Sequence, residues 1–239
     1  MQVTDQVLEI WGEIACFTRP ELKVERFSYP VITPSAARAI FEAIYWKRPK
    51  FRWQVTRIEV LSDPRYIALR RNEVKGKAPG DRTIGQWMQG KAEPQPLWAD
   101  SDDQGTGRTQ RQTLALRDIR YRVHAEVRPW PGHESDLPSF EAQFRRRAAR
   151  GQCIYQPYLG CREFPAYFRL VEQEQPQPGP IALDLDLGLM LYDVFDLSRP
   201  GNDKDTPAIS IFHGRVSSGV MDVPDYSDDA VLKGVEEAR

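Results

Sequence analysis

The sequence predicts an α+β protein. A ferredoxin-like domain over residues 1–175, interrupted by an inserted β-hairpin at about 62–112, precedes a small antiparallel β-sheet domain over 176–239 with an acidic tail. Three observations predict this. Segments of strand and helix periodicity follow in the order β-α-β-(insertion)-β-α-β, the split βαβ plan. Both helical segments carry one apolar stripe and recognisable ends. The stretch QEQPQPGP at 173–180 reads as a linker and divides regions of different charge.

Each element has a local reason. Residues 7–17, VLEIWGEIACF, alternate as a strand does. Thr33-Pro34 opens a helix with a hydroxyl cap and a proline in the first turn. Ala36, Ile40 and Ile44 then form one stripe, and Ala37, Phe41 and Tyr45 the next. Tyr45 falls in the last turn, and Pro49 forbids continuation. Residues 51–61 alternate again, with Phe51, Trp53 and Val55 opposite Arg52, Gln54 and Thr56. Residues 62–112, rich in Gly, Pro, Asp and Gln, break the pattern, with strand-like pieces near 66–74; a long excursion of this kind is usually functional or mobile. Residues 119–128 resume strand alternation. A helix at about 137–150 buries Leu137, Phe140, Phe144 and Ala148, loads its last turn with arginine and stops at Gly151. Residues 166–172 form the fourth strand, and 181–197 and 207–223 read as strands of the appended sheet.

Composition narrows the function. The net charge of −1 conceals an asymmetry: residues 1–175 carry 28 Lys+Arg against 22 Asp+Glu, and residues 176–239 carry 5 against 12. Of the 33 basic residues 25 are Arg, whose planar fork suits phosphate and stacks on bases. An anionic polymer fits the first part and not the tail; a solvated basic face with no partner fits the charge count equally. Three cysteines, Cys16, Cys153 and Cys161, are too few and too oddly spaced for a disulfide framework or a zinc site, and small buried thiols are expected. No run suits a membrane span and no secretory signal is evident, so a cytoplasmic protein without a membrane partner is expected. No metal or cofactor motif is present.

Three constellations combine cations with aromatic rings or glycines. Tyr45-Trp46-Lys47-Arg48 sits at a helix end, where it either stacks a base beside a phosphate or forms core with two exposed cations. Arg70, Arg71, Asn72, Lys75 and Lys77 open the excursion as either a phosphate clamp or a charged hairpin edge. Arg145, Arg146, Arg147 and Arg150 lead into a loop with Tyr155, Tyr158 and Arg162, which favours RNA contact. The histidines are His124, His133 and His213, each more often structural than catalytic when alone.

The blocks IACFTRPELKVERFSYPVITPSAARAIFEAIYWK, RRNEV and FRRRAARGQCIYQPYLGCREFPA resemble the fifth CRISPR-associated (Cas) family, in its subtype I-C variant written d or c. The resemblance implies an RRM/RAMP-type ferredoxin-like domain with a grasping hairpin and a small C-terminal sheet. It implies a metal-independent endoribonuclease that cuts precursor CRISPR RNA (pre-crRNA) at the 3′ base of the repeat stem-loop and keeps the 5′ handle. Implied partners are crRNA, the seventh-family backbone subunit and the eighth-family large subunit of Cascade, and through them target DNA. The family's catalytic tyrosine corresponds to Tyr45, with Lys47 beside it. Its Lys-His pair has no counterpart, because Pro138-Ser139 stands there; His133, five residues before Pro138, is the candidate substitute. Two alternatives follow: a handle-binding, capping subunit with little or no cleavage, and a general RNA-binding module.

Overall fold

The computed structural model describes residues 4–95, 107–172, 177–202 and 205–234. Its strands and helices are β1 (Gln6–Ala15), β2 (Arg26–Phe27), α1 (Pro34–Ile44), β3 (Phe51–Val60), β4 (Arg65–Val74), α2 (Asp81–Met88), β5 (Arg108–Pro129), α3 (Leu137–Ala149), β6 (Tyr167–Leu170), β7 (Leu185–Asp193), β8 (Ser210–Val216), β9 (Val220–Asp222) and β10 (Leu232–Lys233). No helix among the described residues is long and apolar enough to cross a membrane.

Of the described residues, those up to 67 and from 114 onward pack as one unit and those from 68 to 113 as another. In the larger unit the main sheet runs β6-β1-β5-β3-β9. Its first four strands lie in the order fourth, first, third, second, each antiparallel to its neighbour, as the ferredoxin-like plan requires. A second sheet, β10-β8-β7, holds most of the C-terminal strands. The expectation that 207–223 belongs wholly to this appended sheet is corrected: β9 leaves it and pairs with β3, setting Ile58 opposite Met221.

Helices α1 and α3 close one face of the main sheet with aromatic rings. Phe41 stacks on Phe144 at 5.4 Å, Trp53 lies 4.6 Å from Phe144, and Phe51 lies 4.9 Å from Phe140. Each such pair adds about 0.5–1.5 kcal/mol to its area burial. On the other face Glu9 is fully buried between Arg120 and Arg169. Burial pushes its carboxyl up, and the two guanidiniums outweigh this and hold it below the usual range.

Helix α1 starts as its sequence demands, with Thr33 Oγ1 accepting from Ala36 N at 3.2 Å and Pro34 opening the first turn. One buried residue is charged. Arg38 pairs with Glu42 one turn on and grips Asp193 at the end of β7 with both arms, at 2.7 and 3.1 Å. Asp193 also accepts the amides of Val194 and Phe195 at 2.8 and 3.0 Å. The segment that follows β7 is thereby tied to α1.

The smaller unit holds the outer part of β4, α2 and the start of β5. Helix α2 lies where the sequence reads as an excursion; its short apolar stripe, Ile84, Trp87 and Met88, is not buried. Strand β5 begins at Arg108 rather than near 119. Its early residues alternate between exposed and partly exposed, so they carry no apolar signal. Cys16 and Cys161 are buried as expected, whereas Cys153 is half-buried.

Replacing Arg38 with alanine is expected to cost about 3–5 kcal/mol, because Asp193 would remain as a buried, uncompensated charge. Chemical denaturation measures this directly. Arg38→Lys should recover little of it, since an ammonium cannot reproduce the two-armed grip.

Candidate active site

The last carbonyls of an α-helix lack partners within the helix and need others. In α1 the rest of the fold supplies them. Ala43 O accepts from Ile154 N at 2.6 Å, and Ile44 O accepts from Arg147 Nε at 2.7 Å. Tyr45 O accepts from the Trp53 indole at 2.9 Å. Tyr45 has left the helix in extended conformation, and its own amide still donates to Phe41 O. Four segments thus fix the backbone at Tyr45. Its ring packs 5.6 Å from Phe51 and is half-buried.

Asp136, whose charge bears on this phenol, gathers two polar side chains. Its carboxylate accepts from Lys50 Nζ at 3.2 Å and lies 3.6 Å from His133 Nδ1. The Lys50 hydrogen bond, with help from His133, holds Asp136 below the usual carboxylate range. Burial pushes the Tyr45 phenol above its ordinary value; the Arg147 guanidinium pulls it down and Asp136 pushes it up again. Burial thus favours the neutral form of the Tyr45 phenol. The arrangement unites a phenol, an imidazole, an ammonium and a guanidinium. That set can deprotonate a hydroxyl, protonate a leaving oxygen and offset developing negative charge.

His133 and Lys50 meet at Asp136, whose charge bears on the Tyr45 phenol, but Lys47 stands apart. Lys47 is exposed and makes no ion pair among the described residues. The cation beside Asp136 is Lys50, which sequence reasoning missed, because nothing local to Lys50 announces a partner 86 positions away. Arg147 belongs here too, although the sequence offered it only as an RNA contact. Pro138 and Ser139 occupy the first turn of α3. Trp46 is exposed, with the Arg48 guanidinium 5.7 Å from its ring, and Arg48 Nε donates to Gly201 O at 2.8 Å.

The remaining expected contacts divide into tethered and open side chains. Arg145 donates to Gln6 Oε1 and Arg146 to Gln143 Oε1, each at 2.9 Å, while Arg150 and Arg162 are exposed. Tyr155 is half-exposed, and Tyr158 is held by backbone pairing with Pro165. In the smaller unit Arg70, Asn72, Lys75 and Lys77 are exposed, whereas Arg71 is half-buried against Glu73 at 3.8 Å, which Arg111 also approaches at 3.2 Å. Strand alternation sends Arg70 and Arg71 to opposite faces, so the basic cluster is not one surface. His124 is engaged by Glu59 at 3.0 Å, and His213 by Asp186 at 3.3 Å. Among the described residues no group of three or more His, Cys, Asp or Glu could hold a metal ion.

Fold and site together define a ferredoxin-like protein whose phenol and flanking cations gather at a helix end. The Cas5d family model, described as "CRISPR-associated protein (Cas_Cas5)", matches residues 7–224. The chain belongs to this family. It is 40% identical over 232 residues to a Mannheimia succiniciproducens protein named CRISPR pre-crRNA endoribonuclease Cas5d, covering 95% of this chain and 97% of the relative. It is 42% identical over 229 residues to the Thermus thermophilus protein of the same name, covering 91% and 90%. A solved structure titled "Crystal Structure of CRISPR-associated Protein" shares the fold at a TM-score of 0.62 and 19% identity, covering 95% of this chain and 96% of that one.

The raised phenol makes a kinetic prediction. A Tyr45 phenolate acting as base would make its contribution grow tenfold per pH unit below its pKa. Acting as a neutral donor, Tyr45 should give a ratio of wild-type to Tyr45→Phe single-turnover cleavage rates that is constant between pH 7 and 9.

Proposed function

We propose that this protein is a pre-crRNA endoribonuclease that cuts the repeat RNA at the 3′ base of its stem-loop without a metal and then retains the 5′ handle. The observation that carries this reading is that Lys50 and His133 meet at Asp136, whose charge bears on Tyr45, while Arg147 braces the end of α1 beside the phenol. The names of the relatives from Mannheimia succiniciproducens and Thermus thermophilus support the same activity.

The chemistry follows from the groups. The 2′-hydroxyl before the cut attacks the adjoining phosphorus. A 2′-O–P bond forms and the P–O5′ bond breaks, leaving a 2′,3′-cyclic phosphate and a 5′-hydroxyl. His133 takes the 2′-hydroxyl proton, with Asp136 orienting the ring. Tyr45 gives its proton to the departing O5′; a phenol with a raised pKa remains a far stronger acid than the alcohol it protonates. Lys50 and Arg147 face the charge that grows on the phosphoryl oxygens. Lys50 and His133, drawn from separate segments, thus replace the Lys-His pair that Pro138-Ser139 displaces.

Beyond the cut, Arg48, Trp46, Arg145, Arg146, Arg150, Arg162, Tyr155 and Tyr158 contact the RNA from the larger unit. Arg70, Arg71, Asn72, Lys75 and Lys77 contact it from the smaller one. A subunit that keeps its product needs one turnover, which suits a cytoplasmic Cascade component carrying crRNA beside backbone and large subunits and meeting target DNA through them. The second reading, a handle-binding subunit without cleavage, is favoured by one feature: the Pro138-Ser139 replacement at the start of α3.

Purified protein incubated with end-labelled repeat RNA in EDTA decides between them. A single cut at the 3′ base of the stem is expected. Tyr45→Phe and His133→Ala should each slow it about 100-fold or more while leaving RNA binding intact. Tight binding with no cut in the wild type would establish the second reading.

A further inference from the structure

A cavity of about 300 Å³ is lined in part by Phe51, whose ring packs 5.6 Å from that of Tyr45. Its walls include Trp46 after α1, Trp130 after β5 and Phe195 after β7, three rings from three separate segments. Trp46 and Phe195 are 40% and 51% exposed, too open for core rings and placed where an incoming ring can lie against them. Arg38, Arg48, Arg52 and Arg199 supply the cations of the lining, and Glu42, Asp196 and Asp205 its carboxylates.

The cavity is built before any ligand arrives. Arg48 bridges from the end of α1 to Gly201 O. Asp196 accepts from Ser198 N at 2.9 Å and from Arg199 Nε at 3.1 Å, and Asp205 accepts from Arg199 Nη1 at 3.2 Å and from Asn202 N at 2.7 Å. Guanidiniums also lie 5.7 Å from the Trp46 ring and 5.8 Å from the Phe195 ring, the latter belonging to Arg38. The wall after β7 is anchored through Asp193, whose carboxylate holds Arg38 and the Phe195 amide together.

From this geometry we infer that the cavity is a nucleobase subsite: it receives one unpaired base next to the scissile phosphate, turned out of the strand and laid against Trp46 and Phe195. The inference rests on the endoribonuclease reading and deepens it. Single-stranded RNA is recognised by splaying bases onto aromatic and guanidinium planes, with polar groups at the base edge. This cavity offers both, at the small end of the volume range for ligand sites. Phe51 both lines the cavity and packs against Tyr45, so the proposed subsite adjoins the phenol. The subsite explains how the enzyme selects one phosphate beside a stem whose paired bases present no faces.

The test uses the full chain and a 2′-deoxy repeat RNA that binds without being cut, carrying 2-aminopurine in turn on each side of the mapped cleavage position. Binding is followed by anisotropy and stacking by fluorescence. Quenching at one of the two positions, relieved in Phe195→Ala and Trp46→Ala, is expected, with binding at least about fivefold weaker in each variant. An abasic substitution at that position in cleavable RNA should lower the wild-type cleavage rate and leave the Phe195→Ala rate unmoved. RNA that binds and is cut normally, with no quenching and full tolerance of the abasic site, would overturn the subsite and leave the nuclease reading intact. RNA that fails to bind wild-type protein would overturn both. Thermal melting of the two variants confirms that they fold.

Discussion

The carbonyl end of α1 is the constraint on which the site depends. A helix that stops at Ile44 leaves carbonyls without partners, and each unmet one would cost about 1–3 kcal/mol if buried. Here donors come from distant parts of the chain: a loop amide at Ile154, the Arg147 guanidinium on α3 and the Trp53 indole on β3. Satisfying the helix end therefore also fixes where Tyr45 points. Arg147 acts twice, since the guanidinium that donates to Ile44 O is the charge that pulls on the phenol.

The same economy of parts links the fold to electrostatics. The ferredoxin-like strand order sets β3 beside β5, and the loops at their ends carry Lys50 and His133. Trp130 N donates to Lys50 O at 2.9 Å and His133 N to Trp130 O at 3.0 Å, so the two segments are joined by backbone before their side chains meet at Asp136. Below, the Arg38–Asp193 grip attaches the segment after β7 to the same helix. Candidate catalytic groups held by backbone hydrogen bonds need little reorganisation when charge develops.

Much of this was legible in the sequence. The strand–helix order, Thr33-Pro34, the Phe41 and Tyr45 stripe and the Phe140–Phe144 face follow from local periodicity and caps. Tyr45 and His133 were readable as candidates from residue type and resemblance. Lys50 and Asp136 were not, because each is an ordinary surface residue until the other is near. Gln54 shows the same limit. Alternation set it on the polar side of β3, yet it is buried, donating to Tyr192 Oη at 2.8 Å from a strand far along the chain. Helix α2 was hard to read because its apolar stripe, Ile84, Trp87 and Met88, is short, and the helix includes Gly85 and has no capping side chain. The start of β5 carries no apolar alternation. Strand β9 was legible as strand, but not its pairing with β3, which depends on a partner far away in the chain.

The central claim is that the phosphate to be cut lies against Tyr45, with His133 and Lys50 around it. An experimental structure of the protein bound to a repeat RNA carrying a 2′-deoxy nucleotide at the cut tests this most directly. The account predicts the scissile phosphate within hydrogen-bonding reach of the Tyr45 hydroxyl, with His133 facing the 2′ position and Lys50 or Arg147 on a phosphoryl oxygen. A scissile phosphate seated elsewhere, with the Asp136 cluster empty of RNA, would contradict it.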